Sequence, residues 1–440
     1  MSYYLVMANS QMQTHTSKQA LSLPEGARVK LAGRVVNYRR LGAIAFGKLE
    51  DRDGRIQFCF NKRASPEQFK SWEQLPSMGS IVAISGRMWT SATGEFTCLV
   101  DEDCLLLRNS LIPFPNKKDG LVDTEAKLRK RYLDICLDAD VKKVFQTRSR
   151  IISEIRSFLE ESEFMEIETP ILTPQASGAQ ARPFVTHHQA YDADLYLRIA
   201  PETYLKRALA SSFDRVYEIG KNFRNEGIDP SHLQEFTSLE WYAGYWDYKD
   251  NLEFFSKLLA RLLKKAGHED LTVEYQGTKL DFSNPTIMSY REVFIRETGI
   301  DPWAIASAKE IDLLFKTKVR PKLIQPIYLI DYPSHMSPLA HRSEDGKTVE
   351  QWQLIVNGWE LVKCYTELTD PVLQRTLLTE QMNDRENGDD EAMMLEEDFL
   401  ECMEYGIPPC SGAGVGLDRL IALLTNQTSL RDVVMFPTML

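Results

Sequence analysis

The sequence predicts an α+β protein in two parts, a small β-barrel followed by an antiparallel sheet flanked by helices. Three observations carry that prediction. Short alternating apolar runs with tight-turn residues fill positions 27–108, helical spacing takes over from 140, and a glycine-rich segment runs into an apolar helix near the end. At 440 residues, two or three domains is the natural expectation. With 43% hydrophobic and 26% charged residues, the composition is that of an ordinary globular protein.

The barrel elements come first. Residues 29–35 and 44–49 read as strands, and Asp51-Arg52-Asp53-Gly54 turns the chain into a third at 55–60. A further strand at 81–86 and one helical stretch at 66–75 complete a pattern that suggests a barrel of the OB type. This places an N-terminal extension at 1–26, the barrel at 27–110 and a linker at 111–139 that opens with Leu111-Ile112-Pro113-Phe114-Pro115-Asn116. The second domain spans 140–440. Val144, Ile151, Ile152, Ile155, Phe158 and Leu159 recur at helical spacing, predicting an amphipathic helix over 140–163. A strand-rich stretch follows at 195–245, then a helix over 251–265. An insertion at about 269–322 carries nothing assignable. The last glycine-rich segment feeds a helix at 417–424.

Several function classes drop out. No apolar stretch is long enough to span a bilayer, and residues 1–16 lack the basic-then-apolar pattern of a secretory signal. The seven cysteines are scattered, with no C-x-x-C pair, so neither a disulfide framework nor a zinc site is expected and a reducing cytoplasm fits. A net charge of -11 does not exclude nucleic acid, because phosphate is met by local basic surface. The acidic residues at 380–398, including Glu386, Asp389, Glu396 and Glu397, read as a solvated helix face.

Three separated stretches carry the chemistry: Phe164-Met165-Glu166-Ile167-Glu168-Thr169-Pro170, Phe223-Arg224-Asn225-Glu226, and Gly412-Ala413-Gly414-Val415-Gly416-Leu417-Asp418-Arg419. In that order they resemble motifs 1, 2 and 3 of the class II aminoacyl-tRNA synthetases, and the segments between them look most like the lysyl-tRNA synthetases. The resemblance covers roughly 27–439, loosely over 269–322. It implies attachment of L-lysine to tRNA(Lys) through a lysyl-adenylate, with ATP as substrate, Mg2+, and a homodimer built around motif 1. Two rival readings are a paralogue that adenylates lysine to modify a protein, which would lack the barrel, and a tRNA-binding regulator without catalysis.

Adenylation brings a carboxylate anion onto a polyphosphate, so it demands cations and positioning more than acid or base groups. Arg224 and Arg419 are the catalytic candidates, since a guanidinium fork suits bidentate phosphate contact. By resemblance, Arg224 bridges the α-phosphate and the amino-acid carboxylate, and Arg419 lies along the γ-phosphate. Glu226 and Phe236 are assigned to adenine and His232 to the phosphates, while Gly414 and Gly416 allow close backbone approach. Magnesium falls to Glu360 and Gln353. Gln353 departs from the family carboxylate, and an amide brings no charge.

A lysine pocket needs buried carboxylates around an ammonium and apolar walls along its stem. Glu202 and Glu367 are assigned to the ε-ammonium, Glu240 to the α-amino group, Tyr242 to a hydroxyl contact and Tyr365 to the stem. A neutral amino acid would leave such carboxylates unmatched. Gly178 belongs to a loop (Ser177 to Phe184) that resembles the one closing over the amino acid, with Ser177 where a second glycine is common. Lys363 stands where the family usually has asparagine. On the barrel, Phe46 and Gln57, with Arg39 just upstream, are assigned to anticodon bases, the natural targets of such a face. The chain ends at Leu440, so no C-terminal extension is expected.

Overall fold

The computed structural model describes residues 12–73, 78–112, 114–115, 121–227, 229–305 and 307–439. Positions 1–11 of the expected extension, 74–75 of the first predicted barrel helix, and Pro113 and Asn116 of the linker lie outside them. Two compact units are present, Met1–Ala139 and Asp140–Leu440.

In the first unit, α1 (Ser17–Leu21) precedes five strands, β1 (Arg28–Leu41), β2 (Ile44–Glu50), β3 (Arg55–Asn61), β4 (Ile81–Thr90) and β5 (Phe96–Arg108), with α2 (Pro66–Glu73) between β3 and β4. They form a closed barrel in the order β1-β2-β3-β5-β4. Asp51 makes the predicted hairpin turn, its Oδ1 accepting the backbone N–H of Asp53 at 2.9 Å and of Gly54 at 3.1 Å. Alternation sends Val29, Leu31, Val35, Leu49, Ile56 and Phe58 inward to one core. Two short helices, α3 (Thr124–Arg129) and α4 (Arg131–Leu137), occupy part of the stretch read as linker.

The second unit begins with the predicted amphipathic helix, α5 (Ala139–Glu161), and the short strands β6 (Met165–Glu166), β7 (Leu172–Thr173), β8 (Val185–His188) and β9 (Ala193–Leu197). Helix α6 (Glu202–Ala210) leads into the long pair β10 (Arg215–Phe223) and β11 (Glu235–Gly244), and then α7 (Tyr248–Ala266). Asp247 caps α7 in a reciprocal box with Asp250, and Gly267 at φ 104° ends it, so the helix starts earlier than its apolar spacing predicts. The stretch read as an insertion holds the hairpin β12 (Thr272–Tyr275) and β13 (Thr278–Asp281), then β14 (Thr286–Ser289), α8 (Tyr290–Thr298) and α9 (Ala308–Leu314). After it come β15 (Ile327–Pro333), β16 (Thr348–Val356), β17 (Trp359–Thr366), α10 (Pro371–Glu386), α11 (Glu397–Tyr405), β18 (Cys410–Gly416) and α12 (Leu417–Leu424).

The main sheet runs β14-β15-β16-β17-β18-β11-β10-β6. Its six inner strands are antiparallel, as predicted, while the two edge pairings, β14 with β15 and β6 with β10, are parallel. One cross-strand row, Trp352–Cys364–Ala413–Trp241–Tyr217, faces a core shared with Ile151 and Ile155 of α5, Phe255 and Leu259 of α7, and Leu420 and Ile421 of α12. Burying side chains of this size contributes roughly 1.5–3 kcal/mol each. Because strand side chains alternate, the residues between these point to the opposite face. Chemistry is left to that face. One member of the acidic stretch departs from the solvated-face expectation: Glu396 is buried and pairs with Arg207 at 3.0 Å.

Candidate active site

Two rows on the free face form the floor of the site. They are Gln351–Tyr365–Gly412–Tyr242 and Gln353–Lys363–Gly414–Glu240, taken across β16, β17, β18 and β11. Above them lies a cavity of about 340 Å³. Every residue of this unit assigned to ATP, lysine or metal from the sequence lines it, except Glu367. Strict alternation would send Glu360 toward the core. A register shift between Leu354 and Ile355 makes a bulge beside it and brings it to the wall.

One end of the cavity is acidic. Glu202 opens α6 and is 5% exposed. Lys206, one helical turn on, donates to its Oε1 at 2.7 Å and also pairs with Glu367. The Tyr365 hydroxyl lies 2.7 Å from each Glu202 oxygen. The sequence reading missed Lys206, although its i,i+4 spacing from Glu202 was a usable signal. Burial opposes charge on the Lys206 ammonium, but Glu202 and Glu367 outweigh it and hold the group above its usual range. Burial likewise pushes Glu367 well above the ordinary carboxylate range, against the pull of Lys206. Glu240 is raised to about 8, by burial first and by the Glu202 charge second, with Arg224 pulling the other way.

The other end is cationic. Arg224 follows β10, and its backbone N–H donates to Gln234 at 2.9 Å, closing the strand-loop-strand unit. Its guanidinium lies over the Phe236 ring, 5.1 Å from the centroid. In the same loop, His232 Nδ1 lies 2.7 Å from Asp229. Arg419, in the first turn of α12, donates to the backbone oxygen of Glu360 at 3.0 Å. Burial lowers its pKa from the usual guanidinium value, and repulsion from Arg224 and Arg320 adds to this against the pull of Glu360. Among the described residues neither Arg224 nor Arg419 pairs with a carboxylate. Asp418 sets the angle of α12: its Oδ2 accepts the Thr237 N–H at 2.7 Å and its Oδ1 accepts Arg148 at 2.6 Å.

The glycines of β18 play different parts. A side chain at Gly412 would strike the Tyr242 ring at 2.2 Å, so this glycine is a packing requirement. At Gly414 the nearest atom would be Glu240 Cγ at 3.5 Å, so here the missing side chain keeps the floor open. Ser177 donates to Glu396, and Gln180 donates to Gln381 at 2.8 Å, tying the Gly178 loop to the α10–α11 region.

For magnesium the donor set is thin: Gln353 Oε1 brings no charge and already accepts the Tyr332 hydroxyl at 2.7 Å. No group of three His, Cys, Asp or Glu suited to a metal occurs among the described residues. The pair Glu360 and Gln353 therefore does not fit an ion held by both side chains.

On the barrel, Arg39 pairs directly with Phe46, and Gln57 pairs with Lys48, two residues beyond Phe46. Arg39, Phe46 and Gln57 thus share one face, opposite the side chains that fill the core. Gln57 Nε2 donates to Thr97 at 2.9 Å.

A barrel of OB type and a largely antiparallel sheet carrying a cavity with an acidic and a cationic end agree with the class II tRNA synthetases. The profile of the family described as tRNA synthetases class II (D, K and N) matches residues 123–440, and that of the OB-fold nucleic acid binding domain matches 29–103. The chain belongs to this class II family. Among its relatives, a lysine–tRNA ligase of Aquifex aeolicus (strain VF5) is 42% identical over 440 residues, 94% of this chain and 73% of that protein. The lysine–tRNA ligase of Clostridium novyi (strain NT) is 40% identical over 97% of this chain and 89% of its own. That of Magnetococcus marinus is 38% identical over 94% and 87%.

Proposed function

We propose that this chain joins L-lysine to tRNA(Lys) through a lysyl-adenylate. A lysine carboxylate oxygen attacks the α-phosphorus of ATP, the bond to the β-phosphate breaks and pyrophosphate leaves. The terminal ribose hydroxyl of tRNA then attacks the acyl carbon, releasing AMP. One observation carries the reading: a single cavity joins buried carboxylates at one end to unpaired guanidinium groups at the other. The relatives matched over nearly the whole chain are lysine–tRNA ligases, which supports the same substrate.

In this reading Glu202 and Glu367, with Tyr242 and Tyr365, receive the amine tail, and Glu240 receives the α-ammonium. Arg224 and Arg419 meet the phosphates, and Phe236 and Glu226 meet adenine. Glu360 is the carboxylate available to magnesium. Arg39, Phe46 and Gln57 contact the anticodon. A homodimer is part of the proposal: Met165, Ile171 and Leu172, in or beside motif 1, are 47, 45 and 48% exposed and lie close together in the chain. Among the described residues no helix is long and apolar enough to cross a membrane, and a cytoplasmic enzyme is proposed.

Lysine-dependent ATP–pyrophosphate exchange followed by charging of tRNA(Lys) tests the function. Exchange without charging would point to a protein-modifying enzyme, and no exchange with any amino acid would leave only a binding role.

A further inference from the structure

Lys363 is the cation that the assigned chemistry leaves unused. It lies on the cavity wall, and among the described residues it makes no ion pair or hydrogen bond. Its ammonium stands 5.5 Å from the Tyr365 ring centroid. Burial pulls its pKa down, and of its neighbours Glu360 opposes that while Arg224 adds to it. Lys363 is half-buried on that wall. A partly desolvated ammonium without an anionic partner carries a cost that an anion arriving in the cavity would relieve.

Its place in the sheet narrows which anion. On β17 the cavity-facing side chains run Glu360, Lys363, Tyr365, with the bulge at Leu361 falling between the first two. Tyr365 belongs to the Glu202 end, while Glu360, beside Leu361, touches Arg419 through its backbone oxygen. Lys363 therefore sits between the acidic end and the arginines. Directly across from it on β16 is Gln353, whose amide oxygen is held by Tyr332 and which offers no charge to a metal. At one cross-strand pair this wall thus has an uncharged amide and, beside it, a lysine.

We propose that Lys363 neutralises the bound triphosphate from within the protein, in place of a divalent ion that the Gln353 position, bringing no charge, does not favour. The inference rests on reading the cavity as a nucleotide site. An ammonium meets phosphate oxygens as a divalent cation does, with half the charge, and it needs no carboxylate ligands, so a neutral residue and a lysine at this pair fit together.

The test uses the full chain, a non-hydrolysable ATP analogue and Mn2+ as a countable stand-in for magnesium. Lys363→Met should weaken analogue binding about 10- to 100-fold, the range for a charged hydrogen bond. Lys363→Arg, which keeps the charge, should restore most of it. The double variant Q353E/K363M should hold one more Mn2+ per analogue complex than the unmodified chain, counted by electron paramagnetic resonance. Analogue affinity within twofold of the unmodified chain in K363M would overturn the proposal. An unchanged Mn2+ count in the double variant would do the same. So would a K363M variant that loses lysine binding but keeps the nucleotide, because the ammonium would then serve the amino-acid carboxylate. If K363M does not fold, Lys363→Gln and Lys363→Arg give the same contrast. Absence of lysine-dependent exchange in the unmodified chain would sink the lysine reading separately, leaving the analogue result to decide on Lys363.

Discussion

Around Glu202 the acidic end of the cavity is largely matched before any ligand arrives, with Lys206 and the Tyr365 hydroxyl both at 2.7 Å. At the other end Arg419 reaches only backbone oxygens, Arg224 lies on a phenyl ring, and Lys363 has no polar partner among the described residues. The two ends solve opposite problems. Several carboxylates packed together repel one another and need an internal ammonium to remain buried in a folded chain. Cations awaiting a polyanion must stay unpaired, because a carboxylate already bound to them would compete with the phosphates. Matched charge at the acidic end keeps its carboxylates folded in place until an amine arrives, and unmatched charge at the other end waits for phosphate.

The sharpest way to break this contrast is at the unmatched end. Replacing Arg224 or Arg419 by alanine should reduce lysine-dependent exchange by about 100- to 1,000-fold with the melting temperature nearly unchanged. Lysine at either position should recover little, because the planar fork is lost. A variant that melts early instead would place the arginine among the structural groups. At the matched end the pattern should invert. Lys206→Met leaves Glu202 and Glu367 buried without their cation and should cost about 3–5 kcal/mol of folding stability in denaturant titration. Unchanged stability would mean the trio is not a structural unit.

On the barrel, Phe46→Ala should raise the KM for tRNA about tenfold, the scale of one lost base stack, and leave exchange untouched. An equal loss of exchange would show that the effect is not on anticodon contact. The smallest effect is a proton. Glu240 is raised from its usual 4.5 to about 8, so in the free enzyme at pH 7 it is mostly protonated. An ammonium beside it favours the ionised form, so lysine binding at pH 7 should expel close to one proton. Calorimetry in buffers of different ionisation enthalpy reads that release, and Glu240→Gln should abolish it. The sign for folding is fixed by the same shift. The folded carboxyl holds its proton more tightly than the unfolded one, so its contribution to stability is complete below about pH 4.5 and fades as pH rises through about 8.

Much of this was legible in the sequence for identifiable reasons. The hairpin at Asp51 declares itself because Asp and Gly have local conformational duties. The run from Gly412 into α12 is visible because a period-two strand gives way abruptly to a period-3.6 helix. Arg224, Glu226, His232 and Phe236 sit close together in the chain, so a local motif suffices to group them. The parallel edge pairings were not legible, because a two-residue strand such as β6 carries no pattern of its own. The early start of α7 depends on one cap, which apolar spacing does not register.

The chain's local order determined the two-part architecture, the class of chemistry and nearly all of the residues that meet at the cavity, since each of those is written in runs of adjacent residues. Tertiary structure alone decided which charges are answered and which are left bare. Lys206 and Glu367 are 161 positions apart, yet they share one ion pair, while Lys363 and Glu360 are near neighbours in sequence and form none. Pairing depends on distance through space and on the water removed around each group, and neither quantity exists until the sheet has closed over its core.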